Sequence, residues 1–284
     1  MIFLKICDIL YDVYLCVIGG VFVKVLTVGD VCGAAGCRAA LRLIPRLKRE
    51  YGIDFTIVNG ENSAVGNGIT PESADMLFSA GADVITGGNH TLRRREIHPM
   101  LDENPFLLRP DNIPAEYGSG LCVIDLGRCM AAVINLSGQI YLAEQKAENP
   151  FEAADRLIEL AKNQGAGPIF VDFHAEATSE KRAMGFYLDG RVSAVFGTHT
   201  HVLTADAQVL PNGTGYITDI GMTGAQQSVL GVKKDIIINR LKSGATDKFE
   251  QDEGSAVLMG CIFDIDPSGK TRSAETIYIK ENSR

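Results

Sequence analysis

Gly197-Thr198-His199-Thr200-His201-Val202 follows the apolar segment Val192–Phe196, and this stretch holds two of the chain's five histidines. If the apolar segment is a buried strand, alternate residues beyond it point to the same side, which places the two imidazoles roughly 6–7 Å apart. Imidazole is the commonest metal ligand, and the ions of a two-metal site lie about 3.5–4 Å apart, so each of two adjacent ions can bind one of these histidines. On this short motif alone, two surface histidines in a loop remain the alternative.

Other polar residues follow predicted strands in the same way. The strands alternate with predicted amphipathic helices, of which the clearest is Phe151–Asn163 and the first runs to about Glu50, with Pro45 predicting a kink or an early break. This alternation indicates an α/β fold, in which ligand sites collect outside the carboxyl ends of the strands. We therefore expect one cluster from the polar residues at the strand ends: Asp30, Glu61, Asn62, Asn89, His90, His174, His199 and His201.

Each of these residues also has an explanation that involves no chemistry. Asp30 can cap the helix predicted after it, and Asn62 can stabilise a turn. The triplet Arg93-Arg94-Arg95 is typical of a solvated helix face, although one arginine could bind a phosphate. The glycines after Asp30 suggest a dinucleotide site, but the strand ends in Gly-Asp and lacks the Gly-x-Gly-x-x-Gly pattern, so an oxidoreductase has little support.

The composition argues against several classes of partner. The chain has 284 residues, 46% of them hydrophobic and 22% charged, with a net charge of −8, which is typical of a packed globular protein. This charge disfavours binding to a nucleic-acid duplex, which requires lysines and arginines on the phosphates. The seven cysteines are scattered without a Cys-x-x-Cys pair, which predicts free thiols in a reducing cytoplasm rather than a structural zinc site.

The two ends of the chain have different predicted roles. The first 23 residues are apolar and superficially resemble a signal peptide, but Asp8 and Asp12 interrupt them and no Ala-x-Ala-like cleavage site follows. They are also marginal for a membrane span, which needs about 20 mostly apolar residues. We predict a dispensable extension at 1–23 and a single domain at 24–284, whose C-terminal third is structural and closes a second sheet.

The donor types in the predicted cluster favour particular metals. Carboxylate, amide and imidazole groups together are typical of a dinuclear site for Mn, Fe or Zn, whereas Ca²⁺ prefers a shell made only of oxygens. Glu61 is the natural candidate to bridge two ions and hold them close together.

Six motifs, taken in order, carry a resemblance to a known family. They are Gly-Asp-Val-x-Gly (29–33), Asn-Gly-Glu-Asn (59–62), Gly-Asn-His-Thr (88–91), Asp-Phe-His-Ala-Glu-Ala-Thr-Ser-Glu-Lys (172–181), Gly-Thr-His-Thr-His-Val (197–202) and Thr-Asp-x-Gly-Met-Thr-Gly (218–224). They resemble the YmdB-like calcineurin-type metallophosphoesterases, which are bacterial 2′,3′-cyclic-nucleotide phosphodiesterases. The resemblance extends from Lys24 to about the C-terminus, and the ten-residue motif together with the His-x-His motif is its most specific part.

The resemblance implies a fold, two metal ions and a reaction. The fold is a four-layered α/β/β/α sandwich, and the ions are Mn or Fe, with Zn as the alternative. One ion site comprises Asp30, Glu61, Asn62 and His201, and the other comprises Glu61, Asn89, His174 and His199. The ions would activate a water against a small phosphodiester or cyclic nucleotide, and His90 would be the catalytic acid that protonates the leaving ribose oxygen.

Two departures and two alternative functions accompany this resemblance. Cys32 stands where the wider superfamily has a histidine, with Asn62 as its substitute, and Thr91-Leu92-Arg93 stands where an aromatic and an acidic residue are expected. The metal core is unaffected, but the second departure concerns the substrate preference beside His90. A metal-dependent phosphomonoesterase or nucleotidase, and a metal-containing regulatory protein with little turnover, remain alternatives, and a homo-oligomer is compatible with the sequence.

Overall fold

Two mixed β-sheets packed face to face form the centre of the protein, in a computed structural model that describes residues 22–246 and 248–281. The strands are β1 (Val23–Val28), β2 (Asp30–Val31), β3 (Phe55–Asn59), β4 (Val84–Thr86), β5 (Leu121–Asp125), β6 (Met130–Ser137), β7 (Ile169–His174), β8 (Ala194–Thr198), β9 (Gln208–Val209), β10 (Gly215–Ile217), β11 (Met222–Ala225), β12 (Ser228–Val229), β13 (Val232–Lys233), β14 (Ala256–Ile265) and β15 (Thr271–Lys280). The helices are α1 (Gly33–Tyr51), α2 (Pro71–Ser79), α3 (His98–Glu103), α4 (Pro150–Asn163), α5 (Thr178–Leu188) and α6 (Lys234–Ser243). Short 3₁₀ turns lie at Thr91–Arg93, Arg95–Ile97 and Ala143–Gln145.

The first sheet has the strand order β2-β11-β14-β1-β3-β4, with β15 paired to β14, and the second has the order β5-β6-β7-β8-β10-β9. In the first sheet β1, β3 and β4 run parallel, and in the second β6, β7, β8 and β10 run parallel. Each parallel set therefore brings several strand ends to one edge of its sheet.

Apolar side chains define four layers. Phe55 and Phe263 from the first sheet meet Phe170 and Phe196 from the second between the sheets, where all four are buried. Helices α1 and α2 cover the outer face of the first sheet, and α4 and α5 cover the outer face of the second. Because each layer buries one apolar face against the next, the predicted α/β/β/α sandwich is confirmed.

Helix α1 does not break at Pro45, contrary to the sequence expectation. It continues to Tyr51 and ends where Gly52 adopts a left-handed conformation (φ 65°), with the Gly52 N–H donating to the Lys48 carbonyl. Leu43, Ile44 and Leu47 are buried against the first sheet on both sides of the proline. This packing stabilises the helix against the loss of one backbone hydrogen bond.

The predicted role of the C-terminal third is wrong in part. Only β9 and β10 extend the second sheet, whereas β11, β14 and β15 belong to the first. Strand β14 pairs antiparallel with β1 over Gly260–Ile265 and with β11 over Ala256–Leu258. The apolar pattern identifies these strands. However, β1, the partner of β14, lies more than 200 residues earlier in the chain, and a local pattern carries no information about such pairing.

The last residue of the predicted extension lies within β1. Val23 already pairs with Ile265 in β1 and is only 3% exposed, so it belongs to the folded domain. Residues 1–21 of the predicted extension lie outside the described residues. Within the described part of the chain, none of the helices combines the length and apolar character that a bilayer crossing requires.

We propose that residues 1–21 are dispensable for folding. A chain that begins at Phe22 is expected to match the unfolding free energy of the full chain within about 0.5 kcal/mol in urea denaturation. A control chain that begins at Leu26 loses two buried valines of β1 and should be less stable by at least about 2 kcal/mol. Equal destabilisation of both chains would contradict the proposal.

Candidate metal centre

The polar residues predicted at the strand ends meet in one cluster, at the carboxyl ends of the parallel strands of both sheets. Asp30 lies in β2, Glu61 and Asn62 follow β3, and Asn89 and His90 follow β4. His174 ends β7, and His199 and His201 follow β8. The first sheet thus supplies the carboxylates and amides of the cluster, while the second supplies the three imidazoles other than His90.

The first group of donor atoms surrounds His201. One ligand atom each from Asp30, Glu61 and His201 lie within 4.8 Å of one another, and Asp30 Oδ1 is 3.8 Å from His201 Nε2. Asn62 Nδ2 lies 3.4 Å from the same nitrogen and also donates to Glu61 Oε1. Since the O and N atoms of an amide are assigned from hydrogen bonds, a flip of Asn62 would present its oxygen at this position.

The second group surrounds His174 Nε2. This nitrogen lies 2.9 Å from Asn89 Oδ1, 3.1 Å from His199 Nδ1 and 3.6 Å from Glu61 Oε2. Gly88 makes this convergence possible, because a Cβ at position 88 would lie 2.3 Å from His174 Nε2 and 2.7 Å from Glu61 Oε2. Any side chain there would displace the donors.

Contacts at the outer nitrogens of His174 and His199 favour the proton on those nitrogens. The Thr198 hydroxyl donates to Asp172 Oδ1 (2.7 Å), so it accepts from His174 Nδ1 (2.9 Å). His199 Nε2 lies 3.1 Å from the carboxylate oxygen Oε2 of Glu176, which favours the proton on this nitrogen. The remaining ring nitrogens, His174 Nε2 and His199 Nδ1, then carry lone pairs that face each other, which is the arrangement expected of metal-binding imidazoles oriented by their other nitrogens.

The protonation equilibria of the cluster agree with a cationic ligand. Burial, followed by the nearby carboxylates of Glu61, Asp219 and Asp172, raises the pKa of Asp30 well above its ordinary value. Burial lowers the pKa of His174 strongly and also lowers the pKa of His199 and His201. Without a cation this centre therefore penalises the ionised form of Asp30 and favours neutral imidazoles, the form that binds metal.

Two buried oxygen atoms without hydrogen-bond partners provide an independent test of whether these residues suit a metal ion. Asp30 Oδ1 and Asn62 Oδ1 are buried and have no hydrogen-bond partner among the described residues. A buried oxygen without a partner costs about 1–3 kcal/mol, and more when it is charged. The mixture of carboxylate, amide and imidazole donors suits divalent first-row ions, so these residues fit bound metal.

A buried ion pair holds the His-x-His segment, and sequence reasoning gave it no role. His199 (φ 96°) and His201 (φ 63°) both have left-handed backbones that non-glycine residues rarely adopt. Asp219 accepts hydrogen bonds from Thr200 N (3.1 Å) and Thr200 Oγ1 (2.7 Å), and Lys181 Nζ donates to Asp219 Oδ2 (2.7 Å) and to the Thr198 carbonyl (2.8 Å). Lys181 and Asp219 each lie within one of the six motifs noted above. Their presence in those motifs was the only sign in the sequence that they have a role at this site.

His90 occupies a different position from the other histidines. Its side chain is 28% exposed, its backbone N–H donates to Glu61 Oε2 (3.0 Å), and its Nδ1 lies 3.2 Å from Glu61 Oε1. Burial opposes ionisation of Glu61, whereas His174 and the hydrogen bonds from His90 favour it, and the balance lowers the pKa of Glu61. With Nδ1 directed at Glu61, His90 keeps Nε2 for a ligand in the adjoining cleft.

Two expectations for the surroundings need correction. Asp30 does not cap α1, because Cys32 is the N-cap residue and makes no side-chain capping bond. The arginine triplet lies on 3₁₀ turns rather than a helix, and only Arg93 and Arg95 are solvated. Arg94 is half-buried, donating from Nε to the Asn67 carbonyl (3.1 Å) and from Nη2 to the Val65 carbonyl, so it fixes the loop after β3.

Cys32 adjoins the centre as a protonated thiol. Its Sγ lies 3.7 Å from His201 Nδ1 and 3.4 Å from the Asp30 carbonyl, and burial raises the pKa of this thiol well above the ordinary value. The cysteines within residues 22–246 and 248–281 are all free, as the sequence predicted.

Comparisons with known proteins agree with this geometry. A family model described as "YmdB-like protein" matches residues 26–277. A 2′,3′-cyclic-nucleotide 2′-phosphodiesterase of Bacillus subtilis (strain 168) is 46% identical over 249 residues, which are 87% of this chain and 93% of the relative. The crystal structure of a novel phosphatase from Mycoplasma pneumoniae superposes with a TM-score of 0.86 at 34% identity, covering 92% of this chain and 94% of that one. A putative 5′-nucleotidase from Staphylococcus aureus (TM-score 0.59, 15% identity, 93% of this chain and 55% of that one) shares the fold alone.

Proposed function

Because this chain belongs to the family of YmdB-like proteins, we propose that it is a metal-dependent phosphodiesterase that hydrolyses 2′,3′-cyclic nucleotides or related small phosphodiesters. Membership in this family makes the chain a phosphoester hydrolase. The named activity of the Bacillus subtilis relative supports the choice of substrate. The observation that carries the metal dependence is the convergence of Asn89 Oδ1, His199 Nδ1 and Glu61 Oε2 on His174 Nε2.

The proposed centre holds two ions with Glu61 between them. Asp30, Glu61, Asn62 and His201 would hold one ion, and Glu61, Asn89, His174 and His199 would hold the other. The two carboxylate oxygens of Glu61 support this division, because Oε1 is the atom bonded to Asn62 and Oε2 is the atom nearest His174. When bound, the ions supply positive charge that offsets the charge of the phosphodiester and makes a water more acidic. Mn or Fe is proposed, with Zn as the alternative.

His90 is proposed as the general acid. Nδ1 of His90 is hydrogen-bonded to Glu61 Oε1 (3.2 Å), which leaves Nε2 to donate a proton to the ribose oxygen that leaves phosphorus. The same hydrogen bond orients the ring toward the cleft. Asp172, through the Thr198 hydroxyl, keeps His174 in the tautomer that presents Nε2 to the cluster.

Metal removal tests this function directly. Turnover of 2′,3′-cyclic AMP is expected to fall below detection when the protein is stripped with a chelator and to return when Mn or Fe is added, because the ions would supply the positive charge that offsets the charge of the phosphodiester. Elemental analysis of the same samples checks that activity follows occupancy. Activity that survives complete removal of metal would refute the mechanism.

The same assay separates the alternatives. Faster turnover of 3′-AMP than of the cyclic nucleotide would favour a phosphomonoesterase. This alternative is included because the similar protein from Mycoplasma pneumoniae is described as a phosphatase. Full metal occupancy with no turnover of either substrate would favour a regulatory protein.

A further inference from the structure

The residues between β11 and β14 form one wall of the cleft above the metal centre. This segment, residues 228–246 and 248–251, comprises the β12–β13 hairpin, α6 and a returning loop, and we call it the cleft wall. The hairpin turns at Leu230 (φ 54°) and Gly231 (φ 91°), whose left-handed backbones match a tight two-residue turn. Gly231 packs on Cys32, since a Cβ at Gly231 would lie 3.1 Å from Cys32 Cβ. The cleft wall is therefore seated directly against the metal centre.

The returning loop is also attached to the opposite wall. Gln251 Nε2 donates to the Ala64 carbonyl (3.2 Å) in the loop after β3, and the Asp252 N–H donates to the Gly231 carbonyl (2.9 Å). These contacts enclose a cleft of about 970 Å³ with Glu61, His90 and His201 among its lining residues. This volume lies in the range of small-molecule sites, about 300–1,000 Å³.

Phe249 in the returning loop presents an aromatic ring to this cleft. Phe249 is one of the residues that line the cleft, and the residue is 51% exposed. The Arg240 guanidinium of α6 lies 4.6 Å from the centre of the ring, which holds the ring from the side of α6 by a cation–π contact. An aromatic ring that is fixed on one side and open on the other is a suitable platform for another planar ring.

Exposed apolar side chains from two other segments line the same cleft. Val65 is 71% exposed and Leu230 is 50% exposed. The charges of the cleft do not favour an anion by themselves, because its lining carries three basic side chains, Arg94, Lys233 and Lys248, against the acidic Glu61, Glu176, Glu250 and Glu253. Affinity for a small phosphodiester beyond the metal centre therefore depends on contact with apolar and aromatic surface.

We propose that Phe249 stacks on the nucleobase of a nucleotide whose phosphodiester lies at the metal centre. The proposal rests on the proposed function and assigns a residue that selects nucleotides over phosphodiesters without a base. Stacking depends on the flat face that all bases share, so the cleft would discriminate weakly among the four bases.

The test compares substrates with and without a base. Phe249→Ala is assayed with 2′,3′-cyclic AMP and with the 2′,3′-cyclic phosphate of methyl riboside. The readout is the KM for cyclic AMP divided by the KM for the substrate without a base. Stacking is worth about 1–3 kcal/mol per base, so this ratio should rise about 5- to 150-fold. Phe249→Trp should restore the ratio. Leu241→Ala is the matched control, since Leu241 is 83% exposed on α6 and does not line the cleft.

Each outcome decides the proposal. An unchanged ratio in Phe249→Ala, or an equal rise in Leu241→Ala, overturns it. If the wild-type protein hydrolyses neither substrate, the proposed function fails, and calorimetric binding of 3′-AMP and of methyl riboside 3′-phosphate to the metal-loaded protein decides the stacking separately. Selective loss of 3′-AMP affinity in Phe249→Ala then supports the platform, and equal affinity in the variant and the wild type overturns it.

Discussion

Replacing Glu61 with alanine should abolish both metal binding and turnover while leaving the protein folded. The side chain contacts both donor groups, through Oε1 toward Asn62 and Oε2 toward His174, so its loss removes the proposed bridge from both ions. Metal ions contribute several kcal/mol of transition-state stabilisation, which corresponds to a loss of at least about 10³-fold in kcat. Elemental analysis, circular dichroism and the cyclic-nucleotide assay on one preparation measure the three properties.

His90→Ala is the matched comparison. His90 contacts Glu61 but is not one of the proposed metal ligands, so its loss tests the chemistry without removing a ligand. This variant should keep its metal and lose about 10²–10⁴-fold in kcat, the usual contribution of a general acid. Retention of both ions in Glu61→Ala would refute the bridging role. Wild-type turnover in His90→Ala would remove His90 from the mechanism.

Lys181→Met is expected to destabilise the fold by about 3–5 kcal/mol, the usual cost of removing one partner of a buried ion pair. Lys181 is 2% exposed and its ammonium group lies 2.7 Å from Asp219 Oδ2, so the substitution leaves a buried carboxylate without its cation. Asp219 also binds the backbone of Thr200 between His199 and His201. The variant should therefore lose metal affinity as well as unfolding free energy, as measured by urea denaturation and metal titration.

Lys162→Met on α4 is the control, because Lys162 is exposed and its loss should change stability by less than about 0.5 kcal/mol. Adding Asp219→Asn to Lys181→Met should recover part of the lost stability, since the unpaired charge disappears. Equal stability of Lys181→Met and Lys162→Met would show that the pair does not hold the segment.

The position of the candidate centre could be predicted because one topological rule governs it. Parallel strands such as β1, β3 and β4 end at the same edge, so Glu61 and Asn89 are neighbours however many residues separate them. The same rule placed Asp30 beside Glu61 and Asn62, but it did not predict that Asp30 lies in a separate strand, β2, beside β11. The location of that strand depends on a pairing with residues almost 200 positions away, and no local pattern records it.

The supporting groups were harder to predict, because their roles depend on contacts and not on residue type. Lys181 and Asp219 lie 38 positions apart, and only the folded chain shows that they meet beneath the His-x-His segment. Phe249 was placed in a region considered purely structural, because a lone aromatic residue in a polar loop has no periodicity. The resemblance to a family identified the donors but gave no information about this wall.

The division of donors between the two sheets links cofactor supply to folding. Neither sheet can assemble the centre alone, since one carries the carboxylates and amides and the other carries the buried imidazoles. Bound ions would connect donors from the two sheets. Ligands that bind only the native state stabilise it by mass action, by about 1.4 kcal/mol for each tenfold rise in free ion above the dissociation constant. A cell starved of these ions would then contain a less stable form of the protein, in addition to losing its activity.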